Sequence, residues 1–141
     1  MSITSEATSV WNGNLTSGSG TLNLDSSNAA TFPVNWRARS EGEAGVTNPE
    51  ELLGAAHAAC FSMAFSNILG TFGVTPESIQ TTAAVTFDPA TGITGSHLLV
   101  SARVQGIDEQ DFQRLADEAK RTCPVSRALA GIPITLEAEL A

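Results

Sequence analysis

Hydrophobic positions recur at intervals of two, then of three to four, then of two again along this chain. The first forty residues are rich in Ser, Thr, Asn and Gly. Apolar residues alternate in "TLNLD" at 21–25, and Gly13 and "SGSG" at 17–20 punctuate. That pattern predicts a β-hairpin or meander with one buried face. "FPVNWRARS" at 32–40 adds an expected edge strand, with Pro33 near its start. "EGEAG" at 41–45 reads as a loop. A helix start follows: Asn48 as N-cap, Pro49 at the first helical position, and Glu51 as the return arm of a capping box. The helix is expected to run to about Leu69, with Gly70 and Gly73 as stops. Leu52, Leu53, Ala56, Ala59, Cys60, Met63, Ala64 and Ile68 leave it little polar surface, which predicts a buried helix.

Two strands are expected at 78–89 and 93–106, joined by "PATG". Asp108 caps a second helix whose stripe is Phe112, Leu115, Ala116 and Ala119. "CPVSRALAG" at 123–131 restarts a short helix, with Pro124 in its first turn and Gly131 after its end. Residues 132–140 alternate Ile132, Ile134, Leu136, Ala138 and Leu140, a period-two strand. The predicted order is βββ-α-ββ-α-α-β, an α+β pattern with central buried helices. No repeat or long linker divides the chain, so residues 1–141 are expected to form a single domain.

Composition narrows the partners. Of 141 residues, 42% are hydrophobic and 16% charged, within the globular range. The net charge of −8 argues against nucleic acid or an anionic membrane, because both require a basic footprint. No run is read as long and apolar enough to span a bilayer, and the N-terminus shows neither a basic start nor an apolar export core. A cytoplasmic location is therefore expected, where a permanent structural disulfide is disfavoured.

Cys60 and Cys123 are the only cysteines. Neither lies in a CxxC or beside a zinc-type spacing, and Cys60, Cys123, His57 and His97 match no structural zinc framework. A structural disulfide, two buried thiols, or a redox pair assembled by the fold all remain open, and the strong burial bias of free cysteine favours buried thiols. Cys123 precedes Pro124 and sits at a helix start, where the helix dipole favours a thiolate. Cys60 lies ten residues into an apolar helix, where burial alone raises its pKa, so reactivity there requires a cation from another segment. Arg37 and Arg39 stand just upstream. His57, one turn before Cys60, is able to polarise the thiol, although a lone helical histidine is more often a hydrogen-bonded core residue.

"EGEAGVTNPEELLGAAHAACFSMAFS" and "AKRTCPVSRAL" resemble the two signature segments of the osmotically inducible protein C and organic hydroperoxide resistance family. The similarity extends to the "WNGNLTSGSGTL" hairpin and the closing "ITLEAEL". The "HAACFSMA" form and the "RxEGE" lead-in look more like the osmotically inducible branch. The resemblance implies the OsmC-like fold: antiparallel sheets around two central helices, in an intertwined homodimer with sites at the interface. It implies a thiol peroxidase for organic hydroperoxides, active in stress defence, with no cofactor and with a dithiol as reductant, lipoyl-type dithiols being suggested. By the same resemblance Cys60 is the peroxidatic thiol and Cys123 the resolving thiol, joined as a disulfide after turnover. Glu50 and Arg39 are the implied ion pair beside the thiolate. Val46 is an extra residue between Gly45 and Thr47 relative to the family pattern, which makes Arg37 the second candidate.

These roles fit elementary chemistry. A thiolate attacks one peroxide oxygen while the other leaves, and an arginine stabilises both the thiolate and the charge that develops on oxygen. A carboxylate holds the guanidinium by a bidentate pair. Along one straight helix, Glu50 and Cys60 are about 15 Å apart, so they do not touch unless the helix breaks near Gly54. The alternative from a different class is a non-enzymatic redox sensor or small-hydrophobe binder on the same scaffold.

Overall fold

The early strands are short because glycine and turn residues interrupt them. The computed structural model describes residues 1–141 and divides into two compact units, Met1–Pro49 and Glu50–Ala141. In the first unit, β1 (Thr8–Asn12), β2 (Ser19–Asn23) and β3 (Thr31–Val34) form an antiparallel meander. β1 is exposed throughout, and β2 and β3 are at most half-buried, so the expected buried face does not exist within one chain. Asp25 ties the ends of this sheet together, accepting from the Thr8 hydroxyl and the Asn23 amide.

The edge strand expected over 32–40 is corrected. β3 ends at Val34 and a short helix α1 (Trp36–Ser40) follows. The reason is local: the Asn35 side chain accepts a hydrogen bond from the Ala38 N–H at 2.7 Å, an N-cap that ends the strand and starts the helix. The predicted order therefore gains one helix.

The second unit is built on α2 (Pro49–Phe72), which runs unbroken through Gly54 and three residues past the expected end. Gly70 stays helical. Gly73, at φ +109°, stops the helix instead. Its N–H bonds to Gly70 O and the Val74 N–H to Leu69 O, the paired closure of a Schellman motif. At 24 residues α2 is, by length and composition, long and apolar enough to cross a membrane, which corrects the reading that no run qualifies. Packing explains only part of its apolar character, and the expectation of a helix buried on most sides is corrected: Ala56, Ala59 and Met63 are exposed. Gly54, His57, Phe61, Phe65 and Leu69 form a buried stripe at helical spacing.

That stripe meets a three-stranded sheet of order β4-β5-β6 (Pro76–Asp88, Gly92–Val104, Ile134–Leu140). β4 and β5 form the expected antiparallel hairpin around 89–92. β5 and β6 pair in parallel, which corrects the all-antiparallel expectation. Between them lie α3 (Glu109–Thr122) and α4 (Pro124–Ala128), the helical crossover that a parallel pair requires. Asp108 caps α3 as predicted, accepting from the Asp111 N–H at 2.8 Å. The core is the inward face of β5 (Leu98, Val100, Ala102, Val104), the α3 stripe and the α2 phenylalanines. Phe65 stacks edge-on against Phe112 with centroids 5.4 Å apart. Gly54 allows α2 to approach β4: a Cβ there would lie 2.8 Å from Ala83 O.

Candidate active site

Pro124 shapes the site. It disfavours helical geometry in the preceding residue, and Cys123 takes φ −53° and ψ 124°. α3 therefore ends at Thr122, the chain turns, and α4 restarts at Pro124. The Cys123 side chain, fully buried, is left pointing at α2, with its Sγ 3.0 Å from Cys60 Sγ. The fold thus brings together two thiols 63 residues apart. Cys60 is half-buried.

The Cys60 thiol is pushed above its ordinary pKa, mainly by burial and then by its hydrogen bond with Cys123. The Val125 N–H opposes this by donating to the Cys60 sulfur. Burial and the neighbouring sulfur both favour the neutral Cys60 thiol, so forming a reactive thiolate needs a positive group beside it.

The expected ion-pair residues are placed as follows. Glu50, the second residue of α2, is 5% exposed. α2 is continuous, so the separation of about 15 Å between Glu50 and Cys60 along the helix stands. Arg39 lies on α1 in the first unit and is half-buried. Arg37 is exposed and faces Glu41 one turn on, at 3.8 Å.

His57 is the residue whose setting the sequence left least determined. It is fully buried on α2, one turn before Cys60. Its Nδ1 lies 2.7 Å from Ser96 Oγ on β5, and its Nε2 lies 2.8 Å from Ser126 Oγ on α4. Burial lowers its pKa, so the ring is neutral, with one nitrogen donating and the other accepting. Sequence reasoning missed Ser96 and Ser126. Ser126 carried a weak signal, three residues after Cys123 in "CPVSRAL", whereas nothing in the sequence linked Ser96 to this place. His97, the next residue after Ser96 on β5, lies on the opposite face of the strand, where it bonds Thr135 and lies 3.7 Å from Glu137.

Two thiols in contact, on an α+β scaffold with a long central helix, define the chain as a dithiol protein of redox type. The pattern of the family described as OsmC-like protein matches residues 42–137. The chain is 44% identical to the peroxiredoxin OsmC of Escherichia coli (strain K12), over 99% of both chains. It is 29% identical to the organic hydroperoxide resistance protein OhrB of Bacillus subtilis (strain 168), over 89% of this chain and 88% of that one. An OsmC-like protein from Mycoplasma pneumoniae superposes with a TM-score of 0.76 over 100% of this chain and 99% of that one, at 17% identity, which is a likeness of fold. The chain belongs to the OsmC-like family.

Proposed function

We propose that this chain is a thiol peroxidase that reduces organic hydroperoxides, in line with the names of its peroxiredoxin and hydroperoxide-resistance relatives. The observation that carries the reading is the 3.0 Å contact between Cys60 and Cys123, a distance from which a disulfide forms by small side-chain rotations. Cys60 is the attacking thiol, because it is the more accessible of the two. Its thiolate attacks one peroxide oxygen, the O–O bond breaks, and the alcohol leaves with a proton. Cys60 becomes a sulfenic acid. The Cys123 thiol then displaces the hydroxyl: the S–S bond forms, the S–O bond breaks, and water departs. An external dithiol, lipoyl-type by family resemblance, restores both thiols. The reaction as written uses no metal or prosthetic group, and a cytoplasmic setting, where thiols stay reduced, suits it.

Arg39 is the proposed cation for the thiolate and Glu50 the carboxylate that orients it; because Glu50 and Cys60 of one chain lie about 15 Å apart along α2, the arrangement calls for an arginine reaching between them or for a contribution from the partner subunit. A buried glutamate requires a positive or hydrogen-bonding partner, and Arg37 already faces Glu41 at the surface. The functional unit is a homodimer of single-domain chains. Support comes from the apolar surface that one chain leaves open: Met63 on α2 is 72% exposed, and Val10, Trp11 and Leu15 are exposed in the first unit.

Thiol counting before and after one equivalent of cumene hydroperoxide tests the reading. Both thiols should disappear in the native chain. Cys60→Ser should consume no peroxide, while Cys123→Ser should consume about one equivalent and leave a sulfenic acid that dimedone traps. Unreactive thiols throughout would favour a non-enzymatic redox or binding module on the same scaffold. A stoichiometric burst retained by Cys60→Ser would reverse the order of the two cysteines.

A further inference from the structure

We propose that His57 is a positioning residue for the second thiol: by holding Ser126 it fixes α4, and with it Cys123, against Cys60. The inference rests on the thiol-peroxidase reading for its biological use, but not for its geometry.

α4 has five residues, and Cys123 makes no side-chain capping bond at its start. A helix so short has no intrinsic stability, so tertiary contacts must hold it. Val125 packs against the core and sets the depth of α4. Apolar packing is non-directional and leaves rotation about the helix axis poorly fixed. The directional side-chain contact is Ser126 Oγ to His57 Nε2 at 2.8 Å, beside the Val125 N–H that donates to the Cys60 sulfur. Ser126 follows Cys123 by three residues, and His57 precedes Cys60 by three on α2. Two ties therefore join α2 to the α4 segment side by side: one through the Cys60 sulfur, which meets Cys123 Sγ and the Val125 N–H, and one through the imidazole.

The two ties behave differently during turnover. Conversion of Cys60 to a sulfenic acid ends the thiol–thiol contact. The His57–Ser126 bond involves neither sulfur, so it persists and keeps Cys123 in place. The second step then needs only Cys123 Sγ to bond Cys60 Sγ, with the Cys123 proton and the Cys60 hydroxyl leaving as water. Both ring nitrogens of His57 are occupied by serine hydroxyls, so the ring has no free atom with which to take a proton from sulfur. Its contribution is placement. Ser96 fixes the ring against β5, so the imidazole is itself held from both sides.

The test measures how strongly Cys123 is presented to Cys60, using the full chain equilibrated in glutathione redox buffers. Ser126→Ala should lower the effective concentration of Cys123 for Cys60 about five- to tenfold, the equivalent of one hydrogen bond. Ser96→Ala leaves the link from α2 to α4 in place and should lower it less. Ser126→Thr keeps the hydroxyl and should restore most of the loss. His57→Gln provides a second route to the same loss if Ser126→Ala folds poorly by circular dichroism. A role confined to stability would lower melting temperature in both serine variants with equal effects on the disulfide equilibrium. That result, or no change in Ser126→Ala and His57→Gln, overturns the proposal. A parallel arm follows one equivalent of cumene hydroperoxide with dimedone present. Ser126→Ala should accumulate several-fold more trapped sulfenic acid at Cys60 than the native chain. If the native chain fails to react with the peroxide, the peroxidase reading falls, and the glutathione equilibrium still decides the placement.

Discussion

Joining Cys60 to Cys123 should make the chain markedly harder to unfold. The two sulfurs already lie 3.0 Å apart, and a disulfide needs about 2.05 Å. The missing ångström is within reach of small χ rotations at the two cysteines, so little native-state strain opposes the gain. The residues are 63 apart in sequence. Closing a loop of that length restricts the unfolded chain by roughly 4 kcal/mol on the chain-entropy model. For a chain of this size that corresponds to about 8–15 °C in melting temperature. The measurement is urea and thermal unfolding of the oxidised and the reduced protein, with Cys123→Ser under both conditions as the control that should show no difference. Oxidised protein equal to or weaker than reduced protein would refute the reasoning. It would mean that the two thiols meet only at the cost of distorting α4.

Gly54→Ala should destabilise the fold by about 1–3 kcal/mol, because the added methyl meets the Ala83 carbonyl oxygen at 2.8 Å and backbone cannot easily yield; chemical denaturation checks it. Arg39→Lys and Glu50→Gln should each slow the first turnover with an organic hydroperoxide by about tenfold, the loss of one charge-assisted contact, while Arg37→Lys does much less; stopped-flow single-turnover rates decide, and a silent Arg39→Lys with a crippled Arg37→Lys would move the assignment by two residues. His57 is buried and neutral, and its neighbours are Ser96 and Ser126, with Glu50 two turns earlier on the same helix stripe and the two thiols one turn on. Its folded pKa lies below the ordinary value of about 6.5, so just below that pH the unfolded chain binds the extra proton, and stability should fall as pH drops through this window by up to about 1.4 kcal/mol per unit. His57→Gln should flatten that part of a urea-midpoint profile between pH 7.5 and 5.5. Sedimentation should give a dimer at micromolar concentration, and a fully active monomer would sink the shared-site arrangement.

Much of the second unit was legible from local rules. Asp108, the α3 stripe, the hairpin around 89–92 and the alternating last strand each follow from a signal only a few residues long, and each was found where expected. The same locality explains α1: the Asn35 cap was present in the sequence, but the alternating apolar residues before it were read as continuing a strand. The parallel pairing of β5 with β6 was not legible, because the period-two pattern specifies which face is buried and not which direction the neighbour runs.

The sequence by itself determined the residue types and the two segments that carry the chemistry: one cysteine inside an apolar helix, one before a proline, and a family pattern that joins them. It also set the acidic charge and the absence of any zinc-type ligand spacing. Only the tertiary structure decided that the sulfurs lie 3.0 Å apart, that Cys123 is the more buried, and that His57 spends both ring nitrogens on Ser96 and Ser126. The reason is range. Capping, turn chemistry and periodicity act over a few residues, where the chain's own connectivity holds the partners together. The contacts of the site span separations of 39 to 69 residues, and they exist because α2, β5 and α4 bury their apolar faces in one core and bring those side chains together as they do so.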